Sequence, residues 1–171
     1  MLAKSLAAKR RVSLAVWLDG QGYPLLSRVV IKNAYEPAVR VGDLVFVSSA
    51  TPLRSNGTEV FGKVGTDVDM DVAKVAARLC VAHSLSLLRD VVGEPLEKRI
   101  RRAVDLMFLI NAASSFGDHS EVADAGSDLL IQGLGPAGAH ARSAIGVGSL
   151  VPNVSVVLKA VYRVRGRLRT S

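Results

Sequence analysis

The stretch from Asp67 to about Val92 constrains the fold most. Val72, Val75/Ala76, Leu79, Ala82/His83 and Ser86/Leu87 recur at a spacing of three to four residues, which gathers them on one face of a helix. Asp67 or Asp69 can cap its start, and Asp71 adds negative charge where the helix dipole favours it. Gly93 is a natural C-cap, and Pro95 enforces the stop. A long helix with a one-sided apolar stripe needs a second layer to bury that stripe, and the flanking segments read as β-structure. Ala38-Val-Arg-Val41 and Leu44 to Ser49, joined by Gly42-Asp43, predict a hairpin, and Arg28 to Lys32 is a short β-branched strand. Ile100 to Ala112 contains an apolar run suited to a strand covered on both faces. A second helix is predicted from His119 to Leu134, and strands from Ala144 to Leu150 and Val154 to Val164 close the chain.

This order predicts an α/β (α+β) fold, with one mixed sheet and both helices on the same face through right-handed crossovers. The other sheet face keeps Val and Leu at alternate positions with no element left to cover it, which predicts self-association.

At 171 residues the chain has the size of one domain, read here as a body over 28–164, a basic N-terminal extension over 1–27 and a basic tail over 165–171. Hydrophobic residues make up 49% but aromatics only 5%, so the core must be aliphatic. No apolar stretch reaches the length of a membrane span, and the chain reads as a soluble protein without membrane partners. The single cysteine, Cys80, excludes an internal disulfide and a multi-Cys zinc site, and its apolar helical setting marks a buried structural thiol.

The net charge of +7 is misleading until it is located. Residues 1–18 and 163–171 each carry four basic side chains and no acid. Taking these eight from the 22 Lys and Arg leaves 14, against 15 Asp and Glu. The excess sits in the termini, which can touch polyanions weakly and without sequence preference. The acid-free start fits a mitochondrial leader as well as a basic extension of a cytoplasmic protein.

Gly133-Leu-Gly-Pro-Ala-Gly138 lacks the Gly-Lys-Ser/Thr ending and the strand-loop-helix order of a phosphate loop. His83, His119 and His140 lack metal-ligand spacing, so neither a metal nor a cofactor is expected. No Gly-x-Ser-x-Gly elbow occurs. Arg142 differs from these. It follows the glycine-rich turn at the mouth of a strand, among Ala139, Ala141, Ser143 and Ala144. Small neighbours leave room for a ligand, and a guanidinium can hold a carboxylate bidentately.

Asn33-Ala-Tyr35 through Ser48-Ser-Ala-Thr-Pro52, Gly62-Lys-Val-Gly65-Thr-Asp67, Gly126-Ser-Asp-Leu-Leu130 and Gly138-Ala-His-Ala-Arg142-Ser-Ala-Ile-Gly-Val147, followed by Leu150 and Asn153, occur in one order. Together they resemble the RidA/YjgF family, in its chorismate-mutase-like or endoribonuclease L-PSP-like subgroup, over about residues 30 to 164. The resemblance implies a chorismate-mutase-like fold and a homotrimer with ligand clefts between subunits. It also implies cofactor-free hydrolysis of reactive enamines and imines to 2-oxo acids and ammonia. Arg142 matches the family's catalytic, carboxylate-gripping arginine; Tyr35, Ser48 and Asp124 match substrate-binding positions. One position departs: Val157 stands where deaminating members carry a water-handling glutamate, and Lys159 where relatives are often acidic. Asp124 or Asp67 could replace that base. The expected function is therefore an imine/enamine deaminase. The alternatives are a non-hydrolytic trimer that binds small carboxylates such as 2-oxo acids and, behind it, RNA binding or endoribonuclease L-PSP-type cleavage.

Overall fold

The computed structural model describes residues 12–27 and 34–166. Helix α1 spans Leu14–Gly20, strands β1 and β2 span Ala38–Val41 and Leu44–Ala50, and the long helix α2 spans Met70–Val92. A single-turn helix α3 (Leu96–Arg99) leads into strand β3 (Ile100–Asn111). Helix α4 (His119–Leu134) and a 3-10 turn (Gly135–Gly138) precede strands β4 (Ala141–Val147) and β5 (Val156–Val164). The strand predicted over Arg28 to Lys32 lies outside the described residues.

The strand order is β1-β2-β5-β3-β4. Only β3 and β4 pair in parallel, as the α4 crossover between them requires; β5 pairs antiparallel with both β2 and β3. Asp69, rather than Asp67, caps α2, its carboxylate accepting from the N–H of Val72 at 2.8 Å. The predicted strand from Ala144 begins three residues earlier, so Arg142 lies inside β4.

Both long helices cover one sheet face, where Val45, Val47, Leu106, Phe108, Ile110, Val156, Leu158, Ala160 and Tyr162 form the core with the α2 stripe. Gly126 of α4 is required there: a Cβ would come within 2.7 Å of Phe108 Cζ and 3.1 Å of the Ala77 carbonyl of α2. Tyr162 is fully buried, and burial raises its phenol to about 12 while its oxygen stays 2.8 Å from Ser84 Oγ. Burial likewise pushes the Cys80 thiol up, which agrees with the structural role expected of it. The boundary drawn at residue 28 moves toward the N-terminus, because Leu14 and Leu18 of α1 are both buried in the same core. Two leucines one turn apart on a seven-residue helix are too few to stand out beside the basic residues that precede them.

The opposite sheet face is open. Val39, Val41, Phe46 and Ile145 are exposed there, in keeping with the uncovered face expected from strand alternation. No helix of the described residues is long and apolar enough to cross a membrane.

Candidate functional site

Arg142 is the second residue of β4, the edge strand, and pairs in register with Leu106 of β3. That register turns it toward α4, where Asp124 and Ser127 sit three residues apart and so share the facing side of the helix. Arg142 Nη1 donates to Asp124 Oδ1 in an ion pair and lies 3.4 Å from Ser127 Oγ. Ser127 Oγ is 3.0 Å from His140 Nε2, and His140 Nδ1 is 2.6 Å from the Gly138 carbonyl oxygen. The short Nδ1 contact needs a proton, so Nε2 accepts from the serine hydroxyl and the serine oxygen accepts from Arg142. Neither Ser127 nor His140 was assigned to the site from sequence; each looked like an ordinary polar residue until the 3-10 turn folded His140 back onto α4.

The ion pair matters for ligand binding. A carboxylate already stands where a substrate carboxylate would bind. The Asp124 side chain is 59% exposed, and pairs this exposed contribute about 0–1 kcal/mol. A charge-assisted bond to a dehydrated ligand is worth about 1.5–3 kcal/mol. An exposed pair of this strength is one that an incoming anion could exchange.

Tyr35 and Ser48 do not join Arg142 within one chain. Ser48 sits at the irregularity between β2 and β5 and lines a cavity of about 400 Å³ with Phe46, Met107 and Lys159 on the open face. Tyr35 is exposed just before β1. Three strand spacings of about 4.8 Å separate β2 from β4. Val157 pairs with Leu109 and lies outside the helix-side core cluster, so it too faces away from the Arg142 side. Asp67 is not near Arg142 either; its Oδ2 accepts from the Lys63 N–H at 2.9 Å and fastens the loop before α2. Of the two acids considered as a replacement base, only Asp124 touches Arg142. Among the described residues, no cluster of His, Cys, Asp and Glu could hold a metal ion.

The far end of β4 carries a second polar group that sequence reasoning missed. Val64 N–H donates to the Asn111 carbonyl at 2.7 Å, and Ala113 N–H donates to the Val64 carbonyl at 2.9 Å, which stitches the loop to the end of β3. Lys63 is thereby delivered beside Asn111, and its Nζ donates to Asn111 Oδ1 at 3.0 Å and to the Gly148 carbonyl at 2.6 Å. Asn111 is buried and oriented in turn, its Nδ2 donating to Asn153 Oδ1 at 3.1 Å and the Val154 carbonyl at 3.3 Å. In the sequence Lys63 stands only as part of the Gly62–Asp67 block; nothing in its own spacing signals the contact.

No protein-family model matches the chain. Protein TCP17 of Trypanosoma cruzi is 30% identical over 158 residues, covering 92% of this chain and 96% of that protein. A crystal structure from Agrobacterium tumefaciens, of unknown function, is 29% identical and superposes with a TM-score of 0.81 over 95% of this chain and 96% of its own. A candidate endoribonuclease from Shewanella oneidensis shares the fold with a TM-score of 0.81 at 24% identity, covering 89% of this chain and 99% of that one. RidA from Psychrobacter shares it at 16% identity with a TM-score of 0.50, over 78% of this chain and 91% of its own. With the sheet order, the two helices on one face and the Arg142 segment in place, the chain belongs to the RidA/YjgF (L-PSP) family.

Proposed function

We propose that the protein hydrolyses reactive 2-imino or enamine acids to 2-oxo acids and ammonia, at a site that two copies of the chain complete. The observation that carries this reading is the Arg142 guanidinium, held at the start of an edge strand by Asp124 and Ser127 beside small side chains. Arg142 anchors the substrate carboxylate. Asp124 gives way to it and stands next to the reacting carbon, where its carboxylate accepts a proton from water as the water oxygen bonds to the C=N carbon. An enamine acid first tautomerises to the imine. The nitrogen then takes the proton held by Asp124 as the C=N bond becomes single. A second proton passes from the new hydroxyl to the nitrogen as the carbon–nitrogen bond breaks and the C=O bond forms, so that ammonia leaves a 2-oxo acid. Tyr35 and Ser48 reach the anchor from a neighbouring copy, in a homotrimer whose contacts use the exposed Val39, Val41, Phe46 and Ile145.

The experiment is ammonia release from freshly generated 2-aminoacrylate or 2-iminobutanoate, with the oligomeric state measured in parallel. Activity in the wild type that is lost in Arg142→Ala supports the proposal; inactivity of the wild type, or full activity in Arg142→Ala, ends it. A second reading, binding of small carboxylates without turnover, is favoured by Val157, which can neither accept a proton nor orient water. Saturable 2-oxo acid binding by an inactive wild type would select it.

A further inference from the structure

A cavity of about 660 Å³ opens at the end of β4 opposite Arg142. Lys63, Ala113, Ser114, His119, Gly146 and Gly148 are among its walls. It lies outside the carboxyl ends of the two parallel strands, β3 and β4, the position where sheets of this kind leave room for ligands. Its size falls within the range of small-molecule sites.

The Lys63 ammonium has three N–H groups and uses two of them, on Asn111 Oδ1 and the Gly148 carbonyl. Both acceptors are neutral. None of the ion pairs among the described residues involves Lys63, so its full charge and one donor are left for the cavity. Asp67 is engaged on the Lys63 backbone N–H, Asp69 on the N–H of Val72, and Glu121, on the first turn of α4, on Lys74 at 2.7 Å. His119, the first residue of α4, stands edge-on to Phe116 with ring centroids 5.2 Å apart, and packs directly against Gly146. Gly146 is required for that: any Cβ would overlap His119 Nε2. Asp118 at the helix cap makes no side-chain bond to the first turn, and Glu121 in that turn is taken up by Lys74, so the positive charge offered to an anion here is that of Lys63 and not of the helix end. Alanine and glycine elsewhere in the wall expose backbone rather than side chain.

We infer that this cavity binds a small organic oxyanion, a carboxylate or a phosphate ester, with Lys63 as its counter-charge. The site is independent of Arg142. Arg142 is paired with a carboxylate of its own chain, whereas Lys63 is held by two neutral oxygens.

The test follows the backbone amide NMR signals of Ser114, Gly146 and Gly148 in the full chain during titration with inorganic phosphate and, separately, with acetate. Saturable shifts at these residues are expected in the wild type and in Arg142→Ala. Lys63→Met should weaken the binding by about tenfold or more, the value of a charge-assisted bond. Stronger response to phosphate identifies a phosphate ester as the class; equal response identifies a carboxylate. Absence of saturation, shifts confined to the neighbourhood of Arg142, or unchanged affinity in Lys63→Met would overturn the inference. If Lys63→Met does not fold, the wild-type titration with Arg142→Ala beside it still decides between the first two outcomes and support. Because ammonia release is read out separately, failure here leaves the proposal for Arg142 untouched, and the reverse.

Discussion

The two ends of strand β4 solve the same problem in opposite ways. At its start Arg142 is paired with a flexible, exposed carboxylate and backed by a buried serine and a histidine. At its end Lys63 is clamped by an amide oxygen and a carbonyl oxygen and has no carboxylate partner among the described ion pairs. On the proposed function the first arrangement is a cation that exchanges one carboxylate for another, with little net cost because the Asp124 side chain is exposed. The second is a cation whose geometry is fixed in advance. Having a positive side chain is thus not enough to predict an anion site; what its existing partners carry decides how much charge is on offer.

The comparison breaks first at Arg142. Replacing it by Ala removes the anchor and should lower kcat/KM for ammonia release by about a hundredfold or more, the value of one to two charge-assisted bonds, while phosphate shifts near Lys63 persist. Loss of both responses together would mean that the two ends form a single site.

Asp124→Asn sharpens it. The guanidinium loses its internal competitor, so 2-oxo acids should bind about tenfold tighter by calorimetry, while kcat falls if Asp124 handles the water. A lower KM with unchanged kcat would assign Asp124 to competition alone.

Gly146→Ala acts on the other end. The His119 ring must rotate away, which costs about 1 kcal/mol at most because the ring is partly exposed, and the melting temperature should fall only slightly. Anion shifts at Gly148 should weaken, and ammonia release should not.

The smallest effect is a pH dependence outside both ends. His83 is buried, and burial pushes it below its ordinary value near 6.5, with Nδ1 against the backbone of Thr51. The unfolded chain therefore takes up this proton at a higher pH than the folded one. The stability contributed by neutral His83 is present above about pH 6.5 and is lost as the pH falls toward the folded value. Denaturation midpoints measured from pH 7 to pH 5 should drop less in His83→Gln than in the wild type.

Much of this architecture is legible in the linear chain. The α2 stripe, the Gly42-Asp43 hairpin, the boundaries of α4 and the apolar β3 run are local patterns with periods of 3.6 and 2, and the structure follows them nearly residue by residue. The family blocks located Arg142 and Asp124, and those two do meet. Local pattern was silent on α1, where two buried leucines are too few to stand out from a basic segment, and on Lys63, whose role depends on contacts 48 and 85 residues away.

Periodicity, caps and turns thus decided which segments are helices and strands and which sheet face is covered, because these depend on residues a few positions apart. Which charges remain available was decided only in three dimensions. The parallel pairing of β3 with β4 carries one end of β4 to Asp124 and Ser127 and the other to the Lys63 loop. Partners so distant in the chain leave no spacing to read, yet their charge determines whether Arg142 or Lys63 presents an open positive site.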